Sequence, residues 1–371
     1  MMDFNELKSK MKFREADTDP TREAFKNQKE TAKEHVEAGR WSELATWIET
    51  LDQSRATAPD DRRLTRHLID AICANALKDV RTEMGACGEY AVDEIRFEGI
   101  DPFIEAAKLN PENYSLNCLA AKICLDVGTL IRGGDYAAYT SNKAFERMEQ
   151  LFNYADVFLD RFDAQALNSP LVAGLKYKRL AGINCELRDL RAAFDVRMQL
   201  DPHDLETMAE HAFYLLPRWY GDYDILNDEA RKVFATTHLE LGASAYAAFY
   251  LELLDVDEGA LATVDVSLLD QGMVDMIRHS GDPQTTVNRI LGLVSTAMAS
   301  EMGQSRTSAK QKRELRTVFA RLVREELDVV LVPHWRTSRK SVIYGLADVF
   351  AKELRGNEVV TIGQVSSGEM A

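Results

Sequence analysis

Histidine and carboxylate side chains that could bind a metal ion occur together between residues 203 and 211. His203, Glu206 and Glu210 are spaced i, i+3 and i+7, which places them on one face of a helix, and His211 is adjacent to that face. Zinc and di-iron sites use ligands of these types. However, the chain has neither Glu-x-x-His nor His-Glu-x-x-His, the usual ways in which one helix offers two ligands. We therefore expect a solvated polar face, and no metal or other cofactor.

Motifs for nucleophilic or phosphate chemistry are absent from the sequence. There is no Walker A motif, no G-x-G-x-x-G after a strand and no G-x-S-x-G elbow. The Gly133-Gly134 pair by itself is typical of a loop. The sequence therefore favours a protein without enzymatic activity, and it identifies no catalytic residue. A helical enzyme with a site near residues 203–218 remains an alternative.

The sequence around Trp219 contains our candidates for ligand or partner binding. Pro217 is expected to end a helix, and Gly221 permits the tight turn that follows. A guanidinium on such a loop can stack on aromatic rings or bind a carboxylate through two hydrogen bonds. The loop is therefore predicted to recognise an anionic or peptide ligand through Arg218, Trp219, Tyr220 and Tyr223. In the alternative interpretation, Trp219 covers the hairpin core and Arg218 pairs with an acidic residue.

A basic segment lies near the C-terminus of an otherwise acidic chain. Residues 303–340 contain ten Lys or Arg against four Asp or Glu, whereas the whole chain has a net charge of −15. On a helix beginning near Ser308, these residues could form a phosphate-binding patch, with Trp335 and Tyr344 available for stacking. The patch would consist of Lys312, Arg313, Arg316 and Arg324. Three interpretations stay open: charge matching within the protein, an acidic protein partner, and nucleic acid.

Composition and termini limit the remaining classes. The hydrophobic content of 46% favours a folded chain, and the negative charge disfavours general binding to nucleic acid or anionic membranes. The first twelve residues lack the apolar segment of a signal peptide. We expect no segment to span a bilayer, because no apolar run approaches the roughly 20 residues that this requires. The five cysteines form no C-x-x-C pair and are expected to be buried, reduced thiols. Together these features predict a cytoplasmic protein without a membrane anchor.

The prolines give the clearest indication of where the helices that carry these candidate residues begin. Six prolines follow an Asp, Asn or Ser, and this pair of residues is typical of a helix start. Proline loses no hydrogen bond at the first helical position, and the preceding side chain can accept one from an amide of the first turn. The predicted starts are Pro20, Pro102, Pro111, Pro170, Pro202 and Pro283.

Apolar residues at helical spacing follow most of these starts, so the sequence predicts an all-α fold of stacked antiparallel helical hairpins. Further helices are predicted over 21–38, 41–52, 61–84, 112–127, 170–187, 189–199, 203–215, 223–236, 241–254 and 308–326. Alternating apolar residues occur only over 328–332 and 358–362. These two segments could pair as a small β element near the C-terminus, unless the first is a helix end.

Two proline junctions resemble the turn between tetratricopeptide units. Leu109-Asn110-Pro111-Glu112-Asn113 and Leu200-Asp201-Pro202-His203-Asp204 lie 91 residues apart, and small residues follow both in register. The resemblance implies an irregular, tetratricopeptide-like array of helical hairpins that binds other proteins. The chain departs from that family because it lacks a steady 34-residue period. The junction Pro217-Arg218-Trp219-Tyr220-Gly221 is similar to one in some bacterial helical-repeat proteins, and no activity comes with that similarity.

The sequence thus predicts three regions: an N-terminal helical region (1–100), a tetratricopeptide-like array (101–302), and a basic C-terminal region with possible short strands (303–371). The expected function is a non-catalytic scaffold or adaptor whose partner is another protein or a peptide. A second, non-catalytic alternative is a nucleic-acid-associated or defence-type regulator that uses the basic 303–340 segment.

Overall fold

The computed structural model describes residues 3–16, 19–87, 98–133, 139–254, 256–299, 305–335, 338–356, 360 and 362. In this part of the chain the fold is all-α with one very small sheet, as the sequence predicted. The chain divides into two compact units. The central unit comprises Ala24–Ala58 and Arg63–Pro202, and the terminal unit comprises Met1–Glu23, Pro59–Arg62 and His203–Ala371. This division differs from the three regions expected from the sequence, because residues near the N-terminus pack with the C-terminal half.

The helices of the central unit lie between Pro20 and Leu200, and the first of them starts before the boundary at Glu23. They are α2 (Pro20–Glu37), α3 (Trp41–Ser54), α4 (Leu64–Cys87), α5 (Asp101–Leu109), α6 (Tyr114–Arg132), α7 (Asn142–Leu159), α8 (Pro170–Gly182) and α9 (Leu187–Leu200).

The terminal unit contains the other helices and both described strands. The helices are α1 (Phe4–Met11), α10 (Leu205–Tyr214), α11 (Tyr223–Leu241), α12 (Ser244–Leu251), α13 (Glu258–Thr263), α14 (Val266–His279), α15 (Pro283–Ala299), α16 (Arg306–Glu325), α17 (Arg339–Val349) and α18 (Ala351–Arg355). The strands are β1 (Arg14–Glu15) and β2 (Val329–Val330), which pair in parallel.

Four of the six predicted proline starts are confirmed. Helices α2, α8 and α15 begin at their prolines, and α5 has Pro102 in its first turn. The predictions at Pro111 and Pro202 are wrong, because α6 and α10 begin three residues later. At the first of these junctions, the Asn113 amide donates to the Asn110 carbonyl (3.1 Å), which closes a turn around Pro111.

The helices that follow these two junctions are capped in the same way. The Asn113 side chain accepts a hydrogen bond from the Leu116 amide at 2.9 Å. The Asp204 side chain likewise accepts from the Glu206 amide at 3.1 Å. In the shared Leu, capping residue, Pro, x, Asn/Asp pattern, the last residue is therefore the N-cap, and the proline belongs to the turn before it.

Helix α6 is the core helix of the central unit. It is long and apolar enough to cross a membrane by length and composition alone, contrary to the expectation that no such run exists. However, 78% of its most apolar 18-residue window is buried inside the structure. A buried apolar helix of this kind is typical of the core of a soluble protein. Cys118 and Cys124 lie on it and are fully buried, and burial raises the pKa of the Cys124 thiol to about 12.

Asp52, near the end of α3, binds residues at the starts of two later helices, α6 and α8. Asp52 is buried and accepts hydrogen bonds from the Ser169 hydroxyl, from the Leu171 amide (3.0 Å) and from the Tyr114 hydroxyl (3.2 Å). Burial raises the pKa of Asp52, although these hydrogen bonds act in the opposite direction. The carboxylate at the first turn of α8 also interacts favourably with the helix dipole. Asp52 therefore fixes α3 against the starts of α6 and α8.

The predicted strand over 328–332 is confirmed for Val329 and Val330, but not with the expected partner. Strand β2 pairs with β1 from the N-terminus, and its register places Arg14 opposite Val329. Of the segment 358–362, only residues 360 and 362 lie within the described residues, and neither belongs to this sheet. The other edge of β2 is covered by side chains of α15: Gln284 accepts from the Val329 amide (3.0 Å), and Asn288 donates to the Val329 carbonyl (2.8 Å).

Within the terminal unit, the side chains of Asp19 and His334 form a buried hydrogen-bonded contact. His334 Nε2 lies 2.5 Å from Asp19 Oδ2, and the side chains are 13% and 5% exposed. Asp19 also caps α2 by accepting from the Arg22 amide at 3.0 Å. Burial raises the pKa of Asp19, but the hydrogen bonds from His334 and from the amide outweigh burial, so the pKa is lowered.

We expect the Asp19 carboxylate to stabilise the fold at neutral pH and to lose that effect in acid. A lowered pKa means that the stabilisation is present above the unfolded value of about 4 and is lost as pH falls through the folded value. Urea unfolding of the wild type and of Asp19→Asn, at pH 6 and at pH 3, measures this effect. The variant should be less stable at pH 6, and the difference should shrink at pH 3. A difference independent of pH would contradict the prediction.

Candidate functional site

The loop between α10 and α11 carries the predicted binding residues and is tightly wound. The Trp219 amide donates to the Leu216 carbonyl (2.9 Å), and the Tyr220 amide donates to the Tyr214 carbonyl (3.1 Å). Gly221 is required because a Cβ atom there would lie 2.3 Å from the Leu215 carbonyl oxygen. The close packing fixes the direction of the side chains on the loop.

Arg218 and Trp219 lie on a platform of aromatic rings. The Trp219 ring centroid is 5.8 Å from that of Phe213 and 5.7 Å from that of Tyr214, and Tyr214 contacts Tyr220 at 6.3 Å. The Arg218 guanidinium lies over the Phe213 ring, 5.0 Å from its centroid. Trp219 keeps 38% of its surface exposed although it contacts two rings.

Arg218 is exposed, and it makes no hydrogen bond or ion pair with any described residue. The alternative expectation, an ion pair with a neighbouring acid, is therefore not seen in the described part of the chain. Contact with the Phe213 ring restricts the orientation of the guanidinium. The group can bind a carboxylate or a backbone carbonyl of a ligand, with Trp219 as an adjacent apolar surface.

Tyr223 has a different role from the other predicted residues of the loop. Its ring packs directly on Gly259, where a Cβ atom would lie 1.9 Å from the ring. Burial and a hydrogen bond to Asp257 raise the pKa of Tyr223. Asp257 in turn caps α13 by accepting from the Gly259 amide at 2.9 Å. Tyr223 thus joins α11 to the start of α13 and is half-buried.

The predicted basic patch lies on α16, where most of its arginines are engaged with acidic residues. Arg316 forms an ion pair with Asp348, and Arg324 pairs with Glu353 at 3.0 Å. Arg321, outside the predicted patch, pairs with Glu325 at 2.7 Å and also with Asp270. Charge matching within the protein, one of the three interpretations left open by the sequence, therefore describes these arginines.

The other members of the patch do not complete a phosphate site. Burial lowers the pKa of Lys312, although Glu258 acts in the opposite direction. Arg313 is exposed and donates to the Ala309 carbonyl at 3.2 Å. Trp335 is fully buried and donates to Asn288 at 2.8 Å, so it is not available for stacking on a base, whereas Tyr344 is 56% exposed.

The possible metal ligands near His203 do not converge. His203 lies on the loop before α10 and pairs with Glu240 of α11. His211 is fully buried and packs edge-on against Phe249 at 6.3 Å. Within the described ranges, no three His, Cys, Asp or Glu residues form a group that could hold a metal ion.

A groove that the sequence did not reveal crosses one face of the terminal unit. It lies between α10, α12, α14 and α15 and has a cavity volume of about 30 Å³, which is room for water rather than for a large side chain. Its floor is apolar, and its lining includes the charged residues Glu206, Glu252 and Arg289. The only sequence feature that indicates the groove is the presence of small residues within the helices, such as Ala209 and Ala248. Helical spacing places Phe213 on the same face of α10, two turns after Glu206 and one turn after Ala209.

Comparison with known proteins adds no identity to this site: no family model matches the chain, and neither the curated proteins nor the solved structures contain a significant match.

Proposed function

We propose that this protein is a non-catalytic interaction scaffold, built from tetratricopeptide-like helical hairpins, that binds another protein or a peptide. The observation that supports this proposal is the loop of α10 and α11, where an exposed Trp219 adjoins Arg218, which no described acidic residue neutralises. Tryptophan and arginine are the residue types most often found at the energetic centre of protein interfaces. A rigid aromatic platform also lowers the entropy cost of binding, because few side-chain torsions need to be fixed.

The ion pairs on α16 do not favour nucleic acid as the partner. Phosphate binding relies on cations that can exchange small counterions for the nucleic-acid backbone. Arg316 and Arg324 already contact Asp348 and Glu353, and binding would have to break those pairs. Near residues 203–218 the loop offers an aromatic surface, and the histidine–carboxylate pair of His203 and Glu240 lies exposed to solvent. We therefore favour a protein or a peptide as the partner.

Recovery of a partner from the native host, with loop variants as probes, tests the proposal. Trp219→Ala and Arg218→Ala should each weaken binding of the recovered partner by about 2 kcal/mol, or roughly 30-fold, as expected for central interface residues. Tyr344→Ala is the matched control, because Tyr344 is an aromatic residue that is 56% exposed on another helix. Affinities would be measured by calorimetry with the purified partner.

Two results would contradict the proposal. One is the absence of any stoichiometric partner after cross-linking in the native host. The other is a partner whose affinity is equal for wild type, Trp219→Ala and Arg218→Ala, since binding would then not use this loop.

A further inference from the structure

The loop between α10 and α11 holds one cation and one apolar surface against the same aromatic ring. The Arg218 guanidinium lies 5.0 Å from the centroid of the Phe213 ring, and the Trp219 ring centroid lies 5.8 Å from it. The turn that carries both residues is closed by the hydrogen bond from the Trp219 amide to the Leu216 carbonyl. One segment of a partner can therefore contact both groups at once.

Acidic residues around Arg218 do not supply its counter-charge. Asp257 and Glu258 interact electrostatically with Tyr223, as Arg218 does, so these charges lie in one region. Arg218 nevertheless makes no hydrogen bond or ion pair with a described residue. The acids of this region are engaged at helix starts instead, and turning to Arg218 would cost them those bonds. Asp222 accepts from the Ile225 amide (2.7 Å), Asp257 from the Gly259 amide (2.9 Å), and Glu258 from the Ser305 amide (3.3 Å).

A carboxylate is the group that a guanidinium held in this way binds best. Its two oxygens can accept two parallel N–H bonds, and contact with Phe213 already restricts the guanidinium. A phosphodiester chain fits less well, because its binding relies on several cations along a groove. The neighbouring carboxylates of Asp257 and Glu258 repel successive phosphates of such a chain.

We infer that the partner presents to this loop an acidic and a large apolar side chain on the same face of one segment. The carboxylate pairs with Arg218, and the apolar side chain packs on Trp219, which is 38% exposed. In an extended segment, side chains two positions apart share a face and lie about 7 Å from each other. A glutamate and a phenylalanine in this arrangement can reach both groups. This inference rests on the proposed function and specifies the chemistry of the partner at the same loop.

The test measures binding of short peptides, blocked at both ends, to the full-length protein. Their central sequence is glutamate, serine, phenylalanine, and matched peptides carry glutamine or lysine in place of the glutamate. Calorimetry gives the affinity, and acrylamide quenching of tryptophan fluorescence reports contact with the loop. Trp219 is the only exposed one of the four tryptophans, so bound peptide should protect it from the quencher. Trp219→Phe should abolish this protection.

The wild type should bind the glutamate peptide about tenfold or more tightly than the glutamine peptide, because a charged acceptor strengthens the hydrogen bonds of the guanidinium. The lysine peptide should bind most weakly, although the net charge of −15 attracts it to the protein as a whole. Arg218→Gln should bring the glutamate and glutamine peptides towards equality, and Arg218→Glu should make the lysine peptide the best ligand. Arg313→Glu is the matched control: it makes the same change of net charge at an exposed arginine of α16 and should keep the wild-type order.

Three results would overturn the inference. They are equal affinity for the glutamate and glutamine peptides, failure of both peptides to bind, and an order of affinities that Arg218→Glu leaves unchanged. Tighter binding of a single-stranded oligonucleotide, lost in Arg218→Glu, would also overturn it in favour of nucleic acid. Circular dichroism and melting temperature of the Arg218 variants should match those of the wild type, since the side chain is exposed.

The native partner separates these results from failure of the proposed function. A partner whose affinity falls in Trp219→Ala and is unchanged in Arg218→Gln supports the scaffold and overturns the inference. A partner whose affinity falls in both variants, and recovers for neither in Arg313→Glu, supports both.

Discussion

Replacing Arg63 with alanine is expected to lower the free energy of unfolding by about 3–5 kcal/mol, the usual effect of removing one partner from a buried ion pair. Arg63 binds Asp201 through two parallel hydrogen bonds, Nε to Oδ2 at 2.6 Å and Nη2 to Oδ1 at 2.5 Å. The side chains are 15% and 6% exposed. Without the guanidinium, the Asp201 carboxylate is left buried without its counter-charge.

Arg63 also shapes the chain around that pair. Its Nη1 donates to the Arg55 carbonyl at 3.0 Å, and Arg55 in turn donates to the Leu200 carbonyl at 3.1 Å. The two arginines therefore hold the loop after α3 against the end of α9. Leu200 and Asp201 belong to the second of the two Leu, capping residue, Pro junctions, so the prediction tests whether this junction depends on a contact that its sequence pattern does not specify.

Urea unfolding of Arg63→Ala, Asp201→Asn and the double variant measures the effect and the coupling between the two side chains. Arg63→Lys should recover only part of the stability, because an ammonium cannot make two parallel hydrogen bonds. Arg188→Ala is the control: Arg188 is 86% exposed and pairs with Asp189 at 3.3 Å. Its loss should change stability by no more than about 0.5 kcal/mol. A loss in Arg63→Ala as small as that of the control would refute the prediction.

Replacing Asn288 with leucine should destabilise the terminal unit to a similar extent. The Asn288 side chain is fully buried and uses its complete hydrogen-bonding capacity. Its oxygen accepts from the Leu331 amide (2.9 Å) and from Trp335 Nε1 (2.8 Å), and its nitrogen donates to the carbonyls of Gln284 and Val329, both at 2.8 Å. Leucine has nearly the same shape and can make none of these bonds.

The loss of stability comes mainly from the buried polar groups that remain without a partner, rather than from the lost hydrogen bonds themselves. The Leu331 amide, the Trp335 indole N–H and the Val329 carbonyl would lose a partner, at about 1–3 kcal/mol for each group that stays buried. A total loss of about 3 kcal/mol or more in the free energy of unfolding is expected. Asn288→Asp keeps the acceptor for Leu331 and Trp335 and should restore part of the stability only at a pH where the carboxyl is protonated.

Chemical denaturation, followed by circular dichroism and by tryptophan fluorescence, tests this prediction. Asn27→Leu is the matched control because Asn27 is exposed on α2, and it should change stability by no more than about 0.5 kcal/mol. Equal stability of Asn288→Leu and wild type would show that water or a rearranged backbone satisfies the three groups.

The turn between α10 and α11 was predictable from the sequence because local residues cause it. Pro217 and Gly221 predicted a tight turn, and a turn exposes the residues at its tip, which here are Arg218 and Trp219. The role of Tyr223 was not predictable, because Gly259 and Asp257 come from a helix that follows one full hairpin later. The partners of the arginines on α16 were not predictable for the same reason. The number of these arginines predicts a basic surface, but Asp348 and Glu353, which neutralise two of them, come from later helices.

The sequence by itself determined the helices and the way they start. Apolar spacing and capping residues act within one or two turns, so the starts at Pro20, Pro170 and Pro283 could be predicted without any tertiary contact. Only the tertiary structure decided which distant segments meet. Arg63 and Asp201 lie 138 residues apart in the chain, and His334 and Asp19 lie 315 apart. The pairing of β1 with β2 and the groove between four helices are of the same kind. Charge, length and apolar character make many such contacts possible, and the packing of the whole core selects among them, because each buried polar group must find its partner there.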